Sequence, residues 1–285
     1  YLNNVKNKLI FIFKNQTAKN ILILSVFTSL VNIINFIYHI LMGRILGPSE
    51  YSTLALIVSF LIIITYITST IQTFIAKQSA IYFVENKNDQ LRKLIRKFSL
   101  WVLIITFPIF FIITISMKYI KTFLNVNSLI PILMLGLIII ISSQLSIGRG
   151  VLQGTKKFIH LGSNQLLENI LKLILGIIFI YLNLKSIGAI IGIVIGLLIS
   201  FIIVYLPIKN NLKSTLDNIN KSSNHKDLKN EDMFRRSIFY TITMTVVFAI
   251  ISYSDIVLVK HFFLPLESGY YSAINQIGKI ILFSP

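Results

Sequence analysis

The chain has 285 residues, of which 55% are hydrophobic and only 13% are charged, and its mean hydropathy is +0.79. Soluble domains carry roughly 25% charged residues, so this composition excludes an ordinary water-soluble protein. The formal net charge of +17 does not indicate a nucleic-acid binder, because the basic residues lie between long apolar runs. The absence of cysteine excludes disulfides, thiolate metal sites and cysteine nucleophiles.

Apolar runs of membrane-spanning length follow one another along the chain. A helix needs about 20 apolar residues to cross the hydrocarbon core of a bilayer. Seven runs reach that length and an eighth begins near Ser268; the seven are 21–43, 54–76, 98–117, 129–148, 158–184, 186–208 and 237–259. Backbone groups in lipid must be hydrogen-bonded within their own segment, so these runs predict helices. The sequence therefore predicts an all-α polytopic membrane protein.

Basic residues between the runs are distributed unequally. If the loops alternate between the two sides of the membrane, one side carries 20 basic residues and the other carries 5. Two further lysines, Lys172 and Lys279, lie inside runs. The positive-inside rule places the N-terminus and the charge-rich loops in the cytoplasm. We therefore expect a multi-pass protein of the cell (inner or plasma) membrane.

The junctions that follow the first and the seventh run resemble each other. Pro48 and Glu50 recur 217 residues later as Pro265 and Glu267, and a basic residue precedes the proline in both places. Both junctions have the same orientation, so the implied repeat is parallel, a plan that recurs in secondary transporters. Chance is the alternative explanation, because Pro-x-Glu is common in loops.

The repeat suggests a division of the chain into three parts. We expect a first six-helix lobe over 1–208 and a polar, flexible cytoplasmic linker over 209–236. The first two helices of a second lobe would occupy 237–285. On this interpretation the chain is a fragment of a transporter with 12 or more spans.

Polar residues lie on single faces of several runs. The first run carries Ser25, Thr28, Asn32, Asn35 and His39 at spacings of 3, 4, 3 and 4, which place all five on one helix face. The seventh run carries a similar stripe that ends at Asp255. Intramembrane polar groups face either a water-filled cavity or a helix interface. We interpret these two stripes as cavity lining, and for the second run both interpretations stay open.

Charged residues inside or at the ends of the runs are further candidates. Glu168 and Lys172 have the i, i+4 spacing that favours a helical ion pair, and Lys172 could alternatively present positive charge to an anionic substrate. Asp255 is either a coupling-ion or proton site or an outer-end residue. Arg44 either anchors the first run at the membrane interface or contacts phosphate. Lys279 is expected to face the interior.

Three segments carry recognisable motifs. They are Met-Gly-Arg-Ile-Leu-Gly-Pro-Ser-Glu-Tyr at 42–51, Gly-Arg-Gly-Val-Leu-Gln-Gly-Thr-Lys-Lys-Phe at 148–158 with Asn164, Gln165 and Glu168 after it, and Asp-Ile-Val-Leu-Val-Lys at 255–260 with Gly-Tyr-Tyr-Ser-Ala at 269–273. These segments resemble bacterial oligosaccharide flippases of the polysaccharide-biosynthesis branch of the multidrug/oligosaccharidyl-lipid/polysaccharide exporter superfamily.

The resemblance implies two six-helix lobes around a central cavity, and alternating access that moves polyprenyl-diphosphate-linked oligosaccharide from the inner to the outer leaflet. It implies a non-enzymatic carrier without a cofactor, driven by a proton or sodium gradient. Its partners would be the lipid bilayer, the lipid-linked oligosaccharide and polysaccharide-assembly proteins, with no nucleic acid and no metal. The candidate cavity residues are Asn32, Asn35, His39, Arg44, Glu168, Lys172, Asp255 and Lys279.

Other functions stay open at this point. A drug/cation antiporter or a flippase for the peptidoglycan lipid precursor would belong to the same superfamily. A membrane polysaccharide polymerase or glycosyltransferase is disfavoured, because such enzymes place catalytic acids on sizeable external loops and the loops here are short. A pure scaffold would not need polar stripes.

Overall fold

A computed structural model describes residues 16–208 and 231–283. These residues form α-helices and one π-helical turn, and no strand occurs among them. The elements are α1 Gln16–Val84, α2 Asn88–Ile115, α3 Met117–Phe123, α4 Ile130–Gly154, α5 Phe158–Phe179, the π-turn Ile180–Leu184, α6 Lys185–Val204, α7 Glu231–Phe262 and α8 Pro265–Phe283. The expectation of an all-α protein is thus confirmed for the described part of the chain.

Five helical stretches are long and apolar enough to cross a membrane. They are Ala18–Val84, Asn88–Ile115, Ile130–Gly154, Phe158–Ile208 and Thr243–Phe262. Two of them, of 67 and 51 residues, are far longer than the roughly 20 residues that a single crossing needs. Each of these two contains a pair of the apolar runs recognised in the sequence.

The first long stretch is a hairpin of two helical arms. Gly47 has φ 70° and ψ 168°, a backbone conformation that glycine adopts without steric cost and that interrupts the helix. On either side of it, His39 Nδ1 and the Tyr51 hydroxyl lie 3.1 Å apart. Twelve residues of straight helix would separate them by about 18 Å, so the chain must fold back. We call 16–46 the first arm and 48–84 the second arm of α1.

The second long stretch is also a hairpin, formed by α5 and α6. Asn183 and Lys185 have φ values of 63° and 49°, which break the helix after the π-turn. Beyond the break, Gly192 approaches Gly176 so closely that a Cβ atom on Gly192 would lie 2.6 Å from the Gly176 nitrogen. Sixteen residues of straight helix would span about 24 Å, so α5 and α6 are antiparallel neighbours. Small residues let membrane helices approach to backbone contact in this way.

Helix α1 lies at the centre of the helix packing and contacts α4, α5, α6, α7 and α8. Its second arm meets α4 at glycines: a Cβ on Gly154 would lie 2.3 Å from the Ala76 carbonyl oxygen. Helix α2 packs on α4, and α5 packs on α1. The first polar side chains described below lie on α1, α4 and α5.

Helices α7 and α8, which the sequence assigns to a second lobe, pack against α1 and against each other. Most of the expected linker, 209–230, lies outside the described residues. The division into lobes, the parallel repeat and the total of 12 or more spans stay predictions.

Candidate functional site

Lys172 joins α5 to the first arm of α1. It lies 14 residues after Phe158, which is about 21 Å along α5. Its Nζ donates a hydrogen bond to Asn35 Oδ1 and lies 4.6 Å from the centroid of the Tyr38 ring. That distance is within the range of a cation–π interaction. The ammonium group is thus held by an amide oxygen and an aromatic face.

His39 extends this group of polar side chains toward the second arm. It is 9% exposed, its Nδ1 is 3.1 Å from the Tyr51 hydroxyl, and its ring meets Tyr38 edge-on with centroids 5.6 Å apart. We call Asn35, Tyr38, His39, Tyr51 and Lys172 the central polar cluster. The sequence had singled out three members of this cluster as candidates, namely Asn35, His39 and Lys172, and the structure brings them together.

The two tyrosines of the cluster were missed by sequence reasoning. Tyr38 is fully buried and Tyr51 is 2% exposed. Tyr38 lies within the first apolar run and Tyr51 directly follows the Pro-x-Glu junction, so neither tyrosine stands out by composition. The available signal was spacing, because Tyr38 lies three residues after Asn35 and therefore on the same side of the helix.

Glu168 forms a salt bridge with Arg149 of α4. The Glu168–Lys172 ion pair, one of the two interpretations of the i, i+4 spacing, is not among the salt bridges of the described residues. The Arg149 guanidinium forms an ion pair with Glu168, and their side chains are 14% and 17% exposed. Arg149 Nε also donates to Asn164 Oδ1 over 2.9 Å, and Asn164 Nδ2 donates to the Ser200 carbonyl over 2.8 Å. The planar guanidinium of Arg149 presents several N–H donors, so it donates to Asn164 and to Glu168 at the same time.

This pairing determines the charge of the region. Arg149 pairs with Glu168, whereas Lys172 contacts the Asn35 amide oxygen and the face of the Tyr38 ring, which carry no formal charge. No carboxylate within the described residues forms a salt bridge with Lys172. The three ionisable groups therefore carry a net formal charge of +1 inside a membrane-spanning helix pair. Such a cation attracts an anionic ligand.

The polar stripe of the first arm is divided between two environments. Ser25, Thr28 and Asn32 are exposed, Asn35 is half-buried and His39 is buried. The exposed half lies toward the end that the charge distribution predicts to be cytoplasmic.

Two of the four candidates on the first arm do not join the central polar cluster. Asn32 and Arg44 are both exposed. Arg44 lies near the opposite end of the first arm, three residues before the break at Gly47. Its two interpretations, membrane anchor and phosphate contact, stay open.

A second polar cluster closes the predicted outer end of the helix packing. Lys260 is 2% exposed and its Nζ donates to Ser52 Oγ over 2.6 Å. Beside it, Ser186 Oγ donates to Glu50 Oε2 over 2.5 Å. We call Glu50, Ser52, Ser186 and Lys260 the outer polar cluster. It connects α7 and α6 to the start of the second arm.

The backbones of the two repeated junctions also meet at this end. A Cβ on Gly269 would lie 2.0 Å from the Pro48 carbonyl oxygen, so α8 passes Pro48 at backbone contact. His261 stacks on Phe123 with ring centroids 4.1 Å apart and its Nδ1 lies 2.5 Å from the Phe123 carbonyl oxygen. Lys260 directly follows the seventh apolar run, and a lysine in that position usually extends toward water, so the sequence did not indicate its hydrogen bond to Ser52.

Asp255 links α7 to α8. It accepts a hydrogen bond from the Tyr271 hydroxyl over 3.0 Å and another from Asn275 Nδ2. These contacts leave both of its proposed roles open. The side chain of Lys279 lies outside the described residues.

The polar residues of the second run serve helix packing in part. Gln72 Nε2 donates to Gln153 Oε1 of α4 over 2.9 Å, and Thr65 Oγ1 donates to the Leu61 carbonyl of its own helix over 2.8 Å. Gln72 thus forms an interhelical hydrogen bond of the kind that joins membrane helices. No group of three His, Asp or Glu side chains that could hold a metal occurs among the described residues.

These features define a multi-pass helical membrane protein with charged and polar side chains inside its helix packing. The sequence profile of the polysaccharide biosynthesis protein family matches residues 17–284. The chain belongs to this family, which is part of the multidrug/oligosaccharidyl-lipid/polysaccharide flippase superfamily. The resemblance seen in the sequence is confirmed, and with it a transport role in polysaccharide biosynthesis. No curated protein and no solved structure matches the chain.

Proposed function

We propose that this protein flips polyprenyl-diphosphate-linked oligosaccharide from the inner to the outer leaflet by alternating access. The observation that carries the proposal is the position of Lys172, which lies inside a membrane-spanning helix and forms no salt bridge with a described carboxylate, because Glu168 pairs with Arg149. The family membership indicates a flippase or exporter, and an unneutralised intramembrane cation supports an anionic substrate.

In this proposal Lys172 binds the diphosphate. Phosphate oxygens replace Asn35 Oδ1 as the acceptor of the Lys172 ammonium, because a charged acceptor forms a shorter and stronger hydrogen bond than an amide. Asn35 and His39 are then available to sugar hydroxyl groups. The Arg149–Glu168 pair keeps α4 and α5 in register while the substrate binds.

Alternating access requires that one end of the path is closed while the other is open. The outer polar cluster is closed, with Lys260 buried against Ser52, and Gly269 lies against Pro48. The inner half of the first-arm stripe is exposed at the same time. In this proposal the arrangement would correspond to an inward-open state. A proton or sodium gradient would drive the return, with Asp255 as the candidate carboxylate.

The proposal places the protein in the cell membrane with its N-terminus in the cytoplasm, as the unequal loop charges predict. Polysaccharide-assembly proteins would deliver the substrate at the inner face and receive it at the outer face.

The test is flipping of fluorescent lipid-linked oligosaccharide by the full-length protein in proteoliposomes. Lys172→Gln removes a charge-assisted hydrogen bond and should lower the initial rate by about 10- to 100-fold. Lys172→Arg should retain most of the rate, and Lys118→Gln, which removes an exposed charge near the predicted outer end, is the matched control.

Three outcomes would overturn the proposal. An unchanged rate in Lys172→Gln would reduce Lys172 to a packing role. Gradient-driven drug efflux without lipid flipping would assign the protein to the antiporters. Flipping of the peptidoglycan lipid precursor in preference to oligosaccharide-bearing lipid would change the substrate.

A further inference from the structure

A groove of about 440 Å³ runs between the second arm of α1 and α2, away from the central polar cluster. Its lining includes Thr70 and Phe74 of the second arm and Trp101 and Ile105 of α2. Lys97 is the one charged residue that lines it. The groove is therefore apolar along its length and cationic at one point.

The residues of α2 along this groove change character in one direction. Lys93, Lys97, Trp101 and Ile105 follow at intervals of four and lie on one helix face. Two exposed ammonium groups come first, then an indole, then an aliphatic side chain. Tryptophan prefers the headgroup region of a bilayer, so this order matches the passage from headgroup to hydrocarbon. Lys97 and Ile105 are about 12 Å apart along the helix.

Fixed contacts hold the groove open in its present shape. Phe74 and Phe98 pack with ring centroids 4.9 Å apart between the two helices. Ser99 Oγ donates to Gln144 Oε1 over 2.7 Å, and Gln144 Nε2 donates to the Ser99 carbonyl over 3.0 Å. This pair of hydrogen bonds ties α2 to α4 next to the groove. The site is thus largely formed before a ligand arrives, as ligand pockets usually are.

We propose that this groove binds an anionic phospholipid of the cytoplasmic leaflet. The phosphodiester lies against Lys97 and Lys93, and an acyl chain lies along Trp101 and Ile105. Arg96, which is also exposed, adds a third positive charge at the same helix end. The positive-inside rule places this end in the cytoplasm, where the leaflet carries anionic lipid. Charge and apolar shape thus favour the same occupant.

Trp101 is the one tryptophan of the 285-residue sequence, and it lines the groove, so it reports on the occupant directly. The experiment measures quenching of its fluorescence in the full chain by brominated phosphatidylglycerol and by brominated phosphatidylcholine, in vesicles of otherwise equal composition. Any tryptophan outside these 285 residues is replaced by phenylalanine. The wild type should prefer phosphatidylglycerol.

The variants separate the groove from general surface charge. Lys97→Gln should lower the preference for phosphatidylglycerol by about five-fold, the ratio expected for one basic residue near an anionic surface. Lys97→Arg should retain the preference. Lys156→Gln, which removes an exposed charge on the same predicted side but outside the groove, should leave it unchanged. Quenching by phosphatidylcholine should be the same in all variants, which shows that Trp101 has not moved.

Equal quenching by the two lipids in the wild type would overturn the proposal, and so would an unaltered preference in Lys97→Gln. If polyprenyl phosphate displaced brominated phosphatidylglycerol much more effectively than unbrominated phosphatidylglycerol does, the groove would be a substrate site and not a phospholipid site. The readout is lipid binding and not flipping, so it is independent of the proposed transport function.

Discussion

Replacing Glu168 by Gln tests which cation this carboxylate pairs with. In the structure its partner is Arg149 of α4, and both side chains are less than one-fifth exposed. The helical spacing alone would assign Lys172, one turn away on α5. The two assignments predict different interaction energies in double-mutant cycles.

The magnitudes follow from the geometry. A hydrogen-bonded charge pair shielded from solvent contributes about 1.5–3 kcal/mol, whereas an i, i+4 pair on one helix contributes about 0.2–0.5 kcal/mol. We therefore expect a coupling energy of about 2 kcal/mol between Arg149 and Glu168. Between Glu168 and Lys172 it should be about 0.5 kcal/mol or less. The single replacement Glu168→Gln should lower the free energy of unfolding by more than the Arg149–Glu168 coupling energy, because it leaves the Arg149 guanidinium without its counter-charge.

The assay is reversible unfolding of the full-length protein in mixed micelles, with the single variants Arg149→Gln, Glu168→Gln and Lys172→Gln and the two double variants. Each cycle gives one coupling energy, provided that the replacements create no new contacts. A Glu168–Lys172 coupling larger than the Arg149–Glu168 coupling would refute the arrangement described here.

Three further predictions follow from the packing. Gly154→Ala places a methyl group 2.3 Å from the Ala76 carbonyl oxygen and should destabilise the protein by about 1–3 kcal/mol, whereas Gly278→Ala meets no atom within 4 Å and should be neutral or stabilising in the same unfolding assay. Tyr51→Phe removes the hydroxyl bonded to His39 and should cost about 1 kcal/mol in that assay. The chain has no cysteine, so single cysteines can be labelled with a membrane-impermeant maleimide. Ser49 is exposed and Ser52 is 1% exposed, so Ser49→Cys should react at least about ten-fold faster than Ser52→Cys. Equal labelling rates would show that the outer polar cluster is open.

Much of the fold could be predicted from the sequence. The apolar runs located the membrane-spanning segments because lipid imposes both length and hydrophobicity on a helix. The structure merges two pairs of runs into continuous stretches, but contacts across Gly47 and between Gly176 and Gly192 show that each stretch turns back. The motifs indicated the family, and the sequence profile confirms it.

The candidate site was predictable only in part. Spacing on a helix identifies residues that share a face, and it correctly grouped Asn35 with His39. It could not show that the same face is exposed at Asn32 and buried at His39, because burial depends on which helices pack against each end of the arm.

The amino-acid sequence alone predicts a helical membrane protein and indicates the polysaccharide biosynthesis protein family, since these properties depend on composition, run length and local motifs. The packing of the helices shows that Glu168 pairs with Arg149, that Lys172 donates to Asn35, and that Lys260 is buried against Ser52. The physical reason is that these contacts join residues on different helices. Local spacing describes neighbours on one helix, and long cationic side chains bind whichever acceptor the packing brings within reach.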